Sequence, residues 1–240
     1  MSDPRDRLAV ALDVPDARGA LDLVDRLEDS CRWLKVGMEL YYAAGNSLVE
    51  TLRQRGFRIF LDLKLHDIPN TVAGAVRSVT SAGAELLTLH AFGGGAMLRA
   101  AAEAAQSPGA PKLIAVTVLT SMDSAELASV GVPDSPAEQA VRLARLAKGA
   151  GADGMVCSAE EVASLRREIG PDAILVVPGI RPAGSALDDQ RRVATAAEAI
   201  SRGSSILVVG RPITRAEEPA KAAQAVLNEI RSAGSSLESA

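Results

Sequence analysis

Eight short apolar runs, each followed by an amphipathic segment, fill the 240 residues of this chain and predict a (β/α)8 barrel in a single domain, 1–240. Three observations carry the prediction. Eight β/α units in this length match the usual size of that barrel, roughly 250 residues. Most of the runs are continuously apolar rather than alternating, as in parallel strands covered by helices. The polar exceptions gather at the C-terminal ends of the runs, where this fold keeps its chemistry. A doubly wound open sheet is the alternative. Against it, the first run leads into "ALDVPDA" where a dinucleotide-binding fold would carry GxGxxG.

The strands are expected at 7–13, 32–37, 58–64, 85–91, 112–119, 153–158, 173–179 and 205–210. Amphipathic helices are expected at 16–28, 45–55, 70–82, 94–106, 135–149, 159–169, 191–202 and 217–232. Start signals support three of them: Asn70 before "TVAGAVRSV", Ser158 before "AEEVASL", and Ser135 followed by Pro136 at the first helical position. Gly56, Gly83, Gly151 and Gly203 close others. No linker, charge block or longer repeat divides the chain, and the small polar stretch 232–240 reads as a frayed tail.

Composition excludes several function classes. A net charge of −4 and a pI near 5.4 give no basic surface for nucleic acid or anionic membrane. One Trp, two Tyr and three Phe leave no platform for stacking bases. The charged start "MSDPRDRLAV" is followed by too short an apolar run for a signal peptide, and no apolar span of about 18 residues follows. Cys31 and Cys157 stand apart, without metal spacing, which fits a reducing compartment. A cytoplasmic location is expected.

The segment "FLDLKLHDIPNTV" (60–72) is the chemical anomaly. An apolar run is interrupted by Asp62 and Lys64, with His66 and Asp67 following. Ionised groups in a core cost several kcal/mol unless they are paired or used. Side chains alternate along a strand, so Asp62 and Lys64 share a face. If that face is the lumen, Lys35 near the end of strand 2 and Asp13 at the end of strand 1 can join them as an alternating Asp–Lys–Asp–Lys array. A single D-x-K is often a solvated edge pair; four such residues at the ends of three neighbouring strands point to a site.

A second constellation lies at "VVPGIRP" (176–182) and "VVGRPIT" (208–214). Each offers a Gly and then an Arg after strands 7 and 8, the common phosphate position of this fold. Gly210 with Arg211 would offer a backbone N–H and a guanidinium fork. Either motif alone could be a turn with a surface Arg. His66 is a candidate organiser of the charged cluster, and His90 reads as satisfying a backbone group. With two separated histidines there is no zinc pattern. Trp33, on the same face as Lys35, reads as packing. These residues describe a barrel enzyme acting on a small phosphorylated molecule, with a Lys as acid or base.

"ALDV" (11–14), "KVGMEL" (35–40), the 60–72 segment, "VTVLTS" (116–121), "VVPGIRP", "DDQRRVATAAEAI" (188–200) and "LVVGRPIT" (207–214) together resemble the bacterial type of the orotidine 5′-phosphate decarboxylase family over essentially the whole chain. One departure is Ala196, where relatives often carry Pro after the Thr; it begins a helix and implies no functional change. The resemblance implies loss of CO2 from orotidine 5′-monophosphate to give UMP, the last step of de novo pyrimidine synthesis, without metal or organic cofactor. It implies that Lys64 donates a proton to C6 and that Asp62 faces the departing carboxylate. Lys35 and Asp13 would hold the ribose hydroxyls and orient Lys64. Asp67 would reach the other subunit of a homodimer. Thr120 would lie near the base, with Arg181, Gln190, Gly210 and Arg211 around the phosphate. Relatives that act on keto or hexulose sugar phosphates share D-x-K-x-x-D but use Mg²⁺, for which Glu39 and Asp62 are possible ligands. A non-catalytic nucleotide sensor is the rival from another class.

Overall fold

The alternation of strand and helix closes on itself. The structure, a computed structural model, describes residues 3–182 and 193–238. Its eight parallel strands form a closed barrel in sequence order. They are β1 (Leu8–Ala11), β2 (Trp33–Gly37), β3 (Arg58–Leu65), β4 (Leu86–His90), β5 (Lys112–Val116), β6 (Gly154–Val156), β7 (Ile174–Val177) and β8 (Ile206–Val209). All eight expected strands are present, each lying inside its predicted run except β3, which passes the end of its run by one residue. The barrel closes where Leu8, Ala9 and Val10 of β1 pair with Leu207, Val208 and Val209 of β8.

The helices are α1 (Ala17–Leu27), α2 (Met38–Gln54), α3 (Pro69–Thr80), α4 (Gly94–Ala104), α5 (Ser124–Ser129), α6 (Pro136–Gly149), α7 (Val162–Ile169), α8 (Ala196–Ser201), α9 (Arg211–Thr214) and α10 (Pro219–Glu238). Several boundaries differ from the expectation. Helix α2 starts at Met38, directly after β2. Gly45, at φ 63° and ψ −160°, interrupts it, so the segment expected from 45 is its second half. Helix α3 begins at Pro69 with Ile68 as its cap residue, which puts Asn70 inside the first turn rather than ahead of it. Helix α7 begins at Val162, not after Ser158; the Ser158 N–H donates instead to the Glu161 carboxylate at 2.8 Å. Ser135 does cap α6, with Glu138 closing a capping box, and Thr195 with Glu198 repeats the device at α8. Ala196 is the first residue of α8. The four expected closing glycines all take positive φ. Helix α10 extends into the polar stretch that the sequence set apart as a tail.

Two apolar layers result from the alternation of side chains. The larger lies between strands and helices and takes residues such as Leu34, Val36, Leu61, Leu87 and Val177. The smaller fills the barrel lumen with Trp33, Phe60, Leu86, Ile114 and Val176, beside the small Ala9 and Ala11. Register explains the pairing of sizes, since Trp33 stands between Ala9 on β1 and Arg58 on β3. The indole N–H donates to the Asp6 carbonyl at 3.1 Å, and the Arg58 guanidinium covers its ring at 4.0 Å. Trp33 is packing, as its sequence position suggests. Gly154 permits a close approach of β6 to β7: a Cβ there would lie 2.1 Å from the Ile174 carbonyl oxygen. The lumen is therefore plugged by apolar side chains, above which lies its C-terminal mouth.

Candidate active site

Period-2 alternation carries the lumen face of β2 from Trp33 to Lys35, and that of β3 from Phe60 to Asp62 and Lys64. The expected array forms. The Lys35 ammonium lies 3.1 Å from Asp13 Oδ1 and 3.5 Å from Asp62 Oδ2, and the Lys64 ammonium lies 2.8 Å from the same Asp62 oxygen. Asp13 sits two residues beyond the end of β1, in the loop rather than on the strand, and is exposed. Lys35 is buried, at 8% exposure. Gly37 leaves room for its head, because a Cβ there would come within 3.1 Å of Lys35 Nζ.

The Asp62 side chain is 14% exposed and lies between the two lysines. Burial by itself would raise its pKa, but the Lys35 and Lys64 ammoniums, together with hydrogen bonds from Lys64 and Thr88, outweigh that and hold it below the ordinary aspartate value of 3.8. Thr88, on the lumen face of β4 between Leu86 and His90, was not singled out in the sequence. Its fully buried hydroxyl donates to Asp62 Oδ1 at 3.0 Å and accepts the Lys64 backbone N–H at 2.8 Å. In the sequence it shows only as one hydroxyl in the apolar run "ELLTLHA". Lys64 has φ 49°, in the left-handed region that side chains larger than Gly enter at a cost.

A cavity of about 360 Å³ opens beside the array. Lys35, Asp62, Lys64 and Thr120 form its polar side; Val116, Val118, Val156, Val176 and Val208 form the other. Arg181, Gly210 and Arg211 are not among the residues that line it. Gly210 adjoins Asp13, since a Cβ on it would lie 3.3 Å from Asp13 Oδ2. Arg211 opens α9, half-buried, on the loop after β8. Arg181 follows β7, is buried, and its N–H donates to the Ala194 carbonyl at 3.0 Å. Gln190 lies outside the described residues.

Asp67 is exposed at the rim. Its carboxylate accepts the Ile68 N–H at 2.6 Å, and among the described residues it pairs with no cation. His66 and His90 lie close together, with ring centroids 5.5 Å apart. Burial first, then His66 and Lys64, hold the His90 pKa below its ordinary value. The ring of His90 thus packs by His66 in surroundings that disfavour its charged form. Glu39 is exposed, and among the described residues no group of three or more His, Cys, Asp or Glu side chains could hold a metal.

A closed barrel with a charged, partly desolvated pocket at the C-terminal strand ends defines a barrel enzyme of small-molecule chemistry. The chain belongs to the orotidine 5′-phosphate decarboxylase / HUMPS family, whose pattern it matches over residues 6–226. It is 54% identical over 220 residues to the orotidine 5′-phosphate decarboxylase of Nitrosospira multiformis, covering 92% of this chain and 91% of that one. A second relative of the same name, from Halorhodospira halophila, is 52% identical over 95% of this chain and 97% of its own. Among solved structures, orotidine 5′-phosphate decarboxylase from Lactobacillus acidophilus superimposes with a TM-score of 0.83 at 40% identity, covering 94% of this chain and 99% of that one.

The depressed pKa of Asp62 makes stability depend on pH with a definite sign. A carboxyl held below its unfolded value stabilises the fold above that value, and the contribution is lost as pH falls through the folded pKa. Each unit of depression is worth about 1.4 kcal/mol. The urea stability of wild type minus that of Asp62→Asn should stay constant from pH 7 to 5 and decline below about pH 4. A difference that is flat or growing down to pH 3 would contradict the ion-paired state of Asp62.

Proposed function

We propose that this chain decarboxylates orotidine 5′-monophosphate to UMP and CO2, the last step of de novo pyrimidine synthesis, without a metal or organic cofactor. The observation that carries the reading is the Asp62 carboxylate, buried between two ammoniums on the wall of a cavity of about 360 Å³. The substrate is supported by the likeness to orotidine 5′-phosphate decarboxylases at 54% and 52% identity over nearly the whole chain.

The pyrimidine C6–carboxylate bond breaks, the electron pair stays on C6, and the Lys64 ammonium gives that carbon its proton. CO2 departs, and the neutral amine regains a proton from solvent. An ammonium fixed beside an apolar wall stabilises the developing carbanion better than water does, because its dipoles and charge need no reorganisation. Asp62 repels the substrate carboxylate, and the repulsion vanishes with CO2. Lys35 and Asp13 hold the ribose hydroxyls and keep Lys64 oriented. Thr120 contacts the base. Arg181, Gln190, Gly210 and Arg211 hold the phosphate, whose remote binding energy drives closure and crowds the charges.

The protein works as a cytoplasmic homodimer with shared sites. Asp67 stands exposed at the rim, pairs with no cation among the described residues, and lies next to Ile68 at 68% exposure. Both features suit a subunit contact that delivers Asp67 to the neighbour's pocket. The buried cysteines Cys31 and Cys157 suit a reducing compartment, and among the described residues no helix is long and apolar enough to cross a membrane.

Mixing the protein with orotidylate should produce the absorbance change of decarboxylation, and EDTA should leave the rate unchanged. Tight UMP binding with no CO2 release would favour a sensor, and a rate abolished by EDTA a Mg²⁺-dependent sugar-phosphate enzyme. Arg211→Ala should cost about 2–5 kcal/mol in kcat/KM, the range for truncating one partner of a charged contact. A substrate lacking the phosphate should not notice the change; equal losses on both substrates would make Arg211 structural.

Subunit mixing tests the shared site. Lys64→Ala and Asp67→Ala, each inactive, are combined after reversible dissociation. About half of randomly paired dimers are mixed, and in each of these one site collects both defects while the other has none, so about a quarter of all sites are intact. Activity should rise from near zero towards that fraction. No recovery, with subunit exchange verified independently, would assign Asp67 to its own subunit's site.

A further inference from the structure

The ladder between β3 and β4 is irregular at one place. Phe60 pairs with Leu86 and Leu61 with Leu87, but the next pair is Leu65 with Leu89. Three residues of β3, Asp62, Leu63 and Lys64, therefore stand opposite a single residue of β4, Thr88. A bulge of this kind re-aims side chains and leaves backbone groups without their ladder partners. Here the orphaned Lys64 N–H is taken up by the Thr88 hydroxyl oxygen at 2.8 Å. The same hydroxyl has one proton, and it goes to Asp62 Oδ1 at 3.0 Å. The other Asp62 oxygen is left for the two lysines.

We infer that Thr88 is a positioning residue for the reaction: a single buried hydroxyl clamps the Lys64 backbone in its left-handed conformation and fixes the rotation of the Asp62 carboxylate. The inference deepens the decarboxylase reading and rests on it for its kinetic part. Lys64 φ is 49°, a conformation that the surroundings must hold in place. Thr88 is fully buried, so no water competes for either bond. Without the hydroxyl, Asp62 Oδ1 loses its donor and the carboxylate can turn. The acid–carbanion geometry at Lys64 then loosens, and misplacement on the scale of 1 Å is worth about 100-fold in rate.

Two pairs of variants isolate the hydroxyl. Thr88→Val exchanges it for a methyl of similar size, and Thr88→Ser and Thr88→Ala differ from each other by the hydroxyl alone. Val and Ala should lower kcat by about 10- to 100-fold while the Kd for UMP, which has no carboxylate, changes by less than about threefold. Ser should restore kcat to within about threefold of wild type. The acid limb of kcat/KM should move to higher pH in Val and Ala, because the carboxylate form of Asp62 loses a donor while its other neighbours, Lys35 from β2, Lys64 from β3 and His90 from β4, are unchanged. Asp13 reaches Asp62 only through Lys35, and His66 only beside His90.

Val or Ala at wild-type kcat would overturn the inference, as would Ser falling as far as Ala, which would assign the role to the threonine methyl. If neither hydroxyl-free variant folds while Ser does, the hydroxyl serves the fold and not the site, and the inference is again overturned. Amide hydrogen exchange separates this from the function itself. The Lys64 N–H should be protected in wild type and Ser and exchange faster in Val and Ala, whatever the protein catalyses. A wild type that releases no CO2 from orotidylate but shows this pattern would refute the decarboxylase reading and leave the clamp standing. Lys64 protection that is equal in all four proteins would refute the clamp.

Discussion

One carboxylate organises the molecule's chemistry. Asp62 is nearly removed from solvent, yet it remains ionised because Lys35 and Lys64 face one oxygen and the Thr88 hydroxyl the other. A lone carboxylate at that depth would neutralise itself by taking a proton. Each member of the array needs the next: Lys35 is held between Asp13 and Asp62, and Lys64 leans on Asp62. Breaking any link leaves a charge uncompensated, which is costly in a partly desolvated site.

The barrel makes that arrangement affordable. Trp33, Phe60 and Leu86 plug the lumen below, while Ala9 and Ala11 give the indole its room. The array stands on this floor one pleat higher, and the valines of β5 to β8 close the opposite wall of the cavity. Charge and apolar surface are thus separated across a few ångströms. That contrast is what a carbanion reaction without an electron sink requires, since fixed charge acts more strongly where water is scarce.

Much of this was legible in the sequence. The eight strands were, because parallel strands between helices read as continuous apolar runs bounded by turns. Asp62 and Lys64 were, because ionised residues are conspicuous in such runs and period 2 puts them on one face. The same continuity hid other features. In an all-apolar run the lumen and helix faces look alike, so the valine wall could not be told from the outer core. Thr88 was hidden because one hydroxyl in an apolar strand is common, and its importance depends on a bulge in the neighbouring strand that no local pattern announces. Helix α2 begins without a side-chain cap and is broken by Gly45, so only its second half reads as a helix in the sequence. Asn70 and Ser158 have good capping chemistry, but Pro69 and Glu161 set those two boundaries instead.

The central claim is that the Lys64 ammonium, held by Asp62, supplies the proton and the charge for loss of CO2. Orotidylate turnover and UMP affinity measured side by side on wild type and Lys64→Ala test it most directly. The account predicts that decarboxylation is abolished in the variant while UMP binds with roughly unchanged affinity. Turnover by Lys64→Ala within about tenfold of wild type, a loss of only about 1.4 kcal/mol in the barrier, would contradict it.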